Sequence, residues 1–367
     1  ILAEPDPEET AGGDLDQARL AAIVTASRER FDEQYGGLAG PMKFPVPVRW
    51  SFLLDWYRHT GDADALAMVD RTLTAMATGG LRDHVGGGFH RYTVDPHWTV
   101  PHFEKMLYDN AQLASLFFQA GQALDRPEFV AVGEDVLAFL ERDMMGEEGA
   151  CYASLDADSG GEEGTYYVWT PAQLTAAVGA DDGPLLAALL GVTDGGNFEH
   201  GTSVVTRRAD LAAVASAHGR DLAEVEALFD RHRATLQQVR DGRVAPGLDR
   251  KVITSWNGLA ISAFSHGYRA TGRPELRVRA EAIADYLHRV HRSADGRLFR
   301  ASNGGRPVGD GVLDDHAILA RGLLDLYQAT GRVDHLAWAR ELLDILAEEF
   351  ARPAGAWYTT RAGGGAA

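Results

Sequence analysis

Apolar residues recur every three to four positions over 15–34, 46–60, 62–78, 104–124, 126–143, 222–240, 255–272, 274–292, 313–331 and 333–350. That spacing is one buried face of an α-helix, and Leu313, Ala317, Ala320, Leu324 and Tyr327 illustrate it. Weaker helical patterns occupy 171–191 and 209–217. The strand-like pieces are short, at 152–155, 165–169 and 298–301, and belong to loops. A phrase repeats between helical stretches: Tyr57-Arg58-His59-Thr60-Gly61-Asp62, Tyr268-Arg269-Ala270-Thr271-Gly272-Arg273 and Tyr327-Gln328-Ala329-Thr330-Gly331-Arg332, with a weaker copy over 122–127. Each copy centres on a Gly or Asp and reads as the tight turn of an αα-hairpin.

The connections alternate in length. Tight turns close one end of each hairpin, and long loops at 35–45, 79–103, 144–170, 241–254 and 293–312 close the other. This pattern predicts an all-α fold, an (α/α)6 toroid of helical hairpins with short β-hairpins in loops gathered on one face. Helices starting near 46, 104, 171, 255 and 313 form the expected inner layer, and those starting near 15, 62, 126, 222, 274 and 333 the outer. Six outer against five inner helices predicts a toroid incomplete at its C-terminal side. Residues 1–14 read as a linker from a missing N-terminal domain, 15–350 as the toroid, and 351–367 as a truncated or irregular tail.

Composition narrows the function. The 367 residues carry a formal charge of −18 and are 45% apolar, which is ample for a core. The acidic balance argues against nucleic acid, whose binding rests on neutralising phosphates, and against anionic lipid. No run approaches the ~20 apolar residues of a membrane span. Cys151 is the single cysteine, so no intramolecular disulfide or thiolate metal site forms, and a cytoplasmic setting is expected. P-loop, dinucleotide, HExxH and G-x-S-x-G signatures are absent, and no cofactor or metal is implied.

Four segments concentrate chemistry. Residues 79–112 hold His84, His90, His97 and His102 among Asp83, Arg91, Glu104, Tyr108, Asp109 and Asn110. Leu313-Asp314-Asp315-His316 sets an imidazole near a helix start, where the helix dipole keeps it neutral and fit to act as a base. In 155–164, Asp156 and Asp158 project from one side of an extended segment. An EF-hand does not fit, because the position that needs Glu is Tyr167. Residues 249–258 join Asp249, Lys251, Trp256 and Asn257, a stacking indole with polar groups of the kind that hold a sugar.

The segments 43–47 (KFPVP), 86–113, 155–169, 249–259 and 313–327 resemble the spermatogenesis-associated, thioredoxin-domain-containing protein family. The resemblance spans roughly 15–350. It implies an α/α toroid like those of N-acylglucosamine 2-epimerases and six-hairpin glycosidases, preceded by a thioredoxin-like domain as a partner in the same polypeptide. This chain lacks that domain, so no redox role carries over. The expected activity is sugar epimerase or isomerase-like acid–base chemistry in the central cavity. His102 and His316 are the expected acid and base, oriented by Asp109 and Asp315. His84, His90, Arg91, Glu104, Tyr108, Asn110, Asp156, Asp249, Lys251, Trp256 and Asn257 are expected to bind a small polar molecule. One alternative is glycoside hydrolysis by a carboxylate pair, Asp109 with Asp158. The other is a non-catalytic ligand-binding module.

Overall fold

A computed structural model describes residues 16–352 and 356–361. The expected linker 1–14 lies outside the described residues, as does most of the tail (353–355 and 362–367). In chain order the helices are α1 (Gln17–Glu29), α2 (Pro47–Thr60), α3 (Ala63–Thr78), α4 (Leu107–Ala123), α5 (Pro127–Phe139), α6 (Pro171–Val178), α7 (Gly183–Leu190), α8 (Leu211–His218), α9 (Leu222–Asp241), α10 (Thr254–Thr271), α11 (Pro274–Tyr286), α12 (Leu313–Thr330) and α13 (Val333–Glu349). Proline opens α2, α5, α6 and α11, where its missing N–H costs no hydrogen bond. Gly61, Gly272 and Gly331 close α2, α10 and α12 at φ of 76°, 72° and 71°. They occupy the left-handed C-cap that glycine enters without steric cost, and they are the glycines of the repeated phrase. The extended stretches 126–143 and 274–292 end in single π-helical turns, Leu140–Met144 and Leu287–His291.

Helices α2, α4, α10 and α12 pack side by side in that order as the inner layer. Their hairpin partners α3, α5, α11 and α13 cover them from outside. One continuous core joins the layers, with Trp50, Phe117, Phe264, Leu319 and Leu323 among its fully buried side chains. Each such side chain contributes roughly 1.5–3 kcal/mol. The tightest approach is between α10 and α12. A Cβ added at Gly322 would lie 2.4 Å from the Gly258 carbonyl oxygen, so glycine sets the spacing of these helices.

The contacts correct one expectation. Residues 171–191 form two short helices, α6 and α7, that are not part of the inner layer, because α4 packs directly on α10. Together with α8 and α9 they build a separate core around Trp169, Leu186, Leu190, Val225 and Phe229. The segment 165–169 is turn rather than strand, apart from a bridge from Trp169 to Ser203.

All five long loops meet at the N-terminal ends of the inner helices, stitched by short strands. Lys43 bridges Thr93. Strand β1 (Tyr92–Thr93) pairs with β2 (Pro101–His102). Strand β4 (Ser154–Leu155) lies between β3 (Lys105–Met106) and β7 (Leu248–Asp249). Strand β8 (Val252–Ile253) pairs with β9 (Phe299–Asn303), which pairs with β10 (Arg306–Asp310). A further hairpin, β5 (Asp158–Ser159) with β6 (Glu162–Glu163), hangs from the third loop.

Candidate functional site

The loop face carries a polar cluster built around Arg91. Its guanidinium sits 2.9 Å from Glu104 Oε2, and its backbone N–H donates to the Glu104 carbonyl at 2.8 Å. Glu104 in turn lies 3.9 Å from His102 Nε2. The other face of that imidazole is fixed: Nδ1–H donates to Glu163 Oε1 at 2.7 Å, and the same oxygen accepts the Phe103 N–H at 3.1 Å. This orients the ring with Nδ1 on Glu163 and Nε2 toward Glu104. Aromatic rings frame the cluster. Tyr92 packs beside His102 and stacks on Phe44, and Tyr108 meets Trp256 edge to face at 4.8 Å.

Asp109, in the first turn of α4, is the chemically distinctive group. It is 7% exposed, and its Oδ2 is buried with no hydrogen-bond partner. Burial raises its pKa to about 7; Arg91 pulls downward against this and Glu104 pushes upward. Near neutral pH the carboxyl therefore holds its proton half the time, as a general acid must. Burial and the neighbouring Asp109 charge also raise the Tyr108 phenol.

The structure brings His102, Asp109, Arg91, Glu104, Tyr108 and Trp256 to this face. The other expected residues have different surroundings. His316 is buried toward the outer layer, its ring 5.2 Å from Phe350, with Nδ1–H donating to the Val312 carbonyl. Asp315 is fully buried as a structural cap: it accepts the Val312 and Ser255 N–H groups and pairs with Arg300 at 2.8 Å. The two are sequence neighbours on different sides of α12, so Asp315 cannot orient the His316 ring. His84 donates to the Gly79 carbonyl and His90 to the Phe103 carbonyl, both buried. Burial drives the His90 pKa down to about 3.

Asn110 and Asn257 occupy equivalent fourth positions of α4 and α10. Each closes a two-way bond with a loop peptide, Asn110 with Phe89 and Asn257 with Cys151, so their amides are spent on structure. Asp156 and Asp158 are exposed, and Asp158 stands in register with Glu163 across the β5–β6 hairpin. Asp249 and Lys251 pair with each other at 3.0 Å. Glu163 is the side chain at this cluster that sequence reading passed over. It sits in the acidic run 162–163, and only the hairpin register turns it toward His102. Among the described residues, no group of three or more His, Cys, Asp or Glu side chains is placed to hold a metal ion. No helix there is long and apolar enough to cross a membrane.

No family model matches the chain. Mouse spermatogenesis-associated protein 20 is 37% identical over 367 residues, covering 90% of this chain and 46% of that protein. The human protein of the same name is 38% identical over 353 residues, covering 86% and 45%. The chain thus spans about half the length of the curated relatives it matches, and the resemblance seen in the motifs extends over most of it. Two solved structures share the architecture. A family 76 glycoside hydrolase (mannosidase) from Bacteroides thetaiotaomicron gives a TM-score of 0.53 at 13% identity, over 90% of this chain and 66% of that one. An inactive variant of an α-1,6-mannanase of Salegentibacter, in complex with α-1,6-mannotetrose, gives 0.52 at 13% identity over 88% and 70%. At that identity the likeness is one of fold, and the fold is an α/α toroid of the kind found in carbohydrate-active enzymes.

Proposed function

We propose that this chain, a homologue of spermatogenesis-associated protein 20 built on an α/α toroid, binds a small sugar at its loop face and moves a proton there, with Asp109 as the acid. The observation that carries this reading is the nearly buried Asp109 carboxyl, with a pKa of about 7 and a free Oδ2, among Arg91, Tyr108 and Trp256. Arg91 supplies hydrogen bonds to hydroxyl or carbonyl oxygens, and Trp256 an apolar face for a sugar ring. His102, with Nδ1 bound to Glu163, supplies the base. An acid and a base at one ring serve epimerisation or isomerisation, in which a carbon-bound proton is removed and returned.

A panel of sugars screened by thermal shift, with hits then incubated in deuterated water, tests this. The expected result is exchange of a carbon-bound proton, abolished in Asp109→Asn. Release of a reducing sugar without exchange would replace epimerisation with hydrolysis. Binding unaffected by Asp109→Asn or Arg91→Gln, with no chemistry in the wild type, would overturn the catalytic reading.

A further inference from the structure

A cavity of about 460 Å³ with charged side chains in its lining lies away from the loop-face cluster, between α3, α5 and the inserted helices α7 and α9. It shares no residue with the Arg91–Asp109 cluster. Four arginines line it, Arg82, Arg126, Arg207 and Arg233, against three carboxylates, Glu128, Asp135 and Asp230. This is a net positive site in a chain of formal charge −18. The carboxylates are largely committed. Asp135 is shared by Arg82, at 2.9 Å, and Arg233. Glu128 pairs with Arg126, which also reaches Asp70. Arg207 lies over the Phe229 ring, and its nearest carboxylate, Asp230, is 4.0 Å away and mostly exposed. Arg207 is therefore the least neutralised cation of the cavity. Burial, together with Arg82 and Arg233, disfavours its charge, so an incoming anion gains there what the protein does not supply.

Two further lining residues have unmet hydrogen-bonding capacity. Arg82 Nε is a buried donor without a partner. His84, 2% exposed, donates Nε2–H to Gly79 at 2.9 Å, so its Nδ1 is a bare lone pair, also without a partner. An acceptor of this kind needs an O–H or N–H. A simple anion satisfies the arginines alone. An anion that carries a hydroxyl satisfies both.

We infer that this cavity binds hydrogen phosphate, a small oxyanion that still bears a hydroxyl at neutral pH, held by Arg207 with Arg82 and capped by donation of that hydroxyl to His84 Nδ1. The site goes beyond the sugar chemistry of the loop face and does not depend on it. Calorimetric titration of the chain at neutral pH and fixed ionic strength tests it with two probes, inorganic phosphate and sulfate. Sulfate matches the charge but has no hydroxyl to give His84. Saturable phosphate binding, at least about tenfold tighter than sulfate, is expected, as is a loss of about tenfold or more in Arg207→Gln with partial recovery in Arg207→Lys. Arg207 is partly exposed, and a circular dichroism melt without phosphate reports whether the variants fold. If Arg207→Gln is misfolded, Asp230→Asn removes the carboxylate nearest Arg207 among the described residues and is expected to tighten phosphate binding. No saturable binding, equal binding of sulfate, or phosphate affinity unchanged in folded Arg207→Gln and Asp230→Asn would overturn the assignment.

Discussion

Replacing Asp109 with Asn tests the physical state of the proposed acid without touching a ligand. In the folded chain the Asp109 carboxyl titrates at about 7 instead of 3.8, because burial disfavours its ionised form. Between those values the unfolded chain has released the proton while the folded chain still holds it. The folded state binds more protons over that window, so its stability falls as pH rises, by about 1.4 kcal/mol per pH unit. The contribution is fully present below pH 3.8 and is lost as pH rises through about 7. Its total is on the order of 4 kcal/mol. Asn has the same shape and no such penalty. Urea unfolding followed by circular dichroism is therefore expected to give variant and wild type similar stability near ~pH 4, with the variant ahead by up to about 4 kcal/mol near ~pH 8.5. The same substitution removes the proton donor, so the chain gains stability as it loses function. A stability difference that does not change with pH, or a variant less stable than wild type in mild alkali, would refute the reasoning about Asp109.

Other outcomes follow from the packing. Asp83 is buried between Lys105 at 2.7 Å and Arg240 at 2.7 Å, so Asp83→Ala strands two buried cations; chemical unfolding should show a loss of about 3–5 kcal/mol. Gly322→Ala drives a methyl into the Gly258 carbonyl, and a loss of about 1–3 kcal/mol is expected from the forced separation of α10 and α12, read as a lowered melting temperature. Burial pushes the Cys151 thiol up to about 12, so iodoacetamide should label it only after unfolding; rapid labelling of the native chain would show that the loop carrying it opens. Glu163→Gln releases the His102 Nδ1–H from its carboxylate and should cost turnover more than sugar affinity, measured as kcat against KM.

The toroid was legible in the sequence because its signals are local. Apolar spacing and the Thr-Gly turn phrase locate the eight helices of the four hairpins to within a few residues, apart from the π turns that end α5 and α11. The alternation of tight turns with long loops already implied that chemistry gathers on one face. What a buried face packs against is not local. The apolar run 185–190 reads as a core helix, and it is one, but the core it enters is that of α6–α9. His316 shows the same limit within one helix: α12 is apolar both toward the inner layer and toward α13, and periodicity does not say which side the imidazole takes. Asn110 and Asn257 did carry a signal, since the same residue type recurs at the fourth position of two inner helices. Such recurrence marks a structural device shared by repeats rather than a single site. Glu163 carried none, because its role comes from strand register.

The most direct test of the central claim is a structure of the chain with a sugar identified by screening. The account predicts the sugar at the loop face, stacked on Trp256, with its oxygens on Arg91 and the Asp109 carboxyl, and His102 Nε2 facing a ring carbon. A sugar seated at the opposite, tight-turn end of the inner helices, where Arg58, His266 and Arg321 line another cleft, would contradict it.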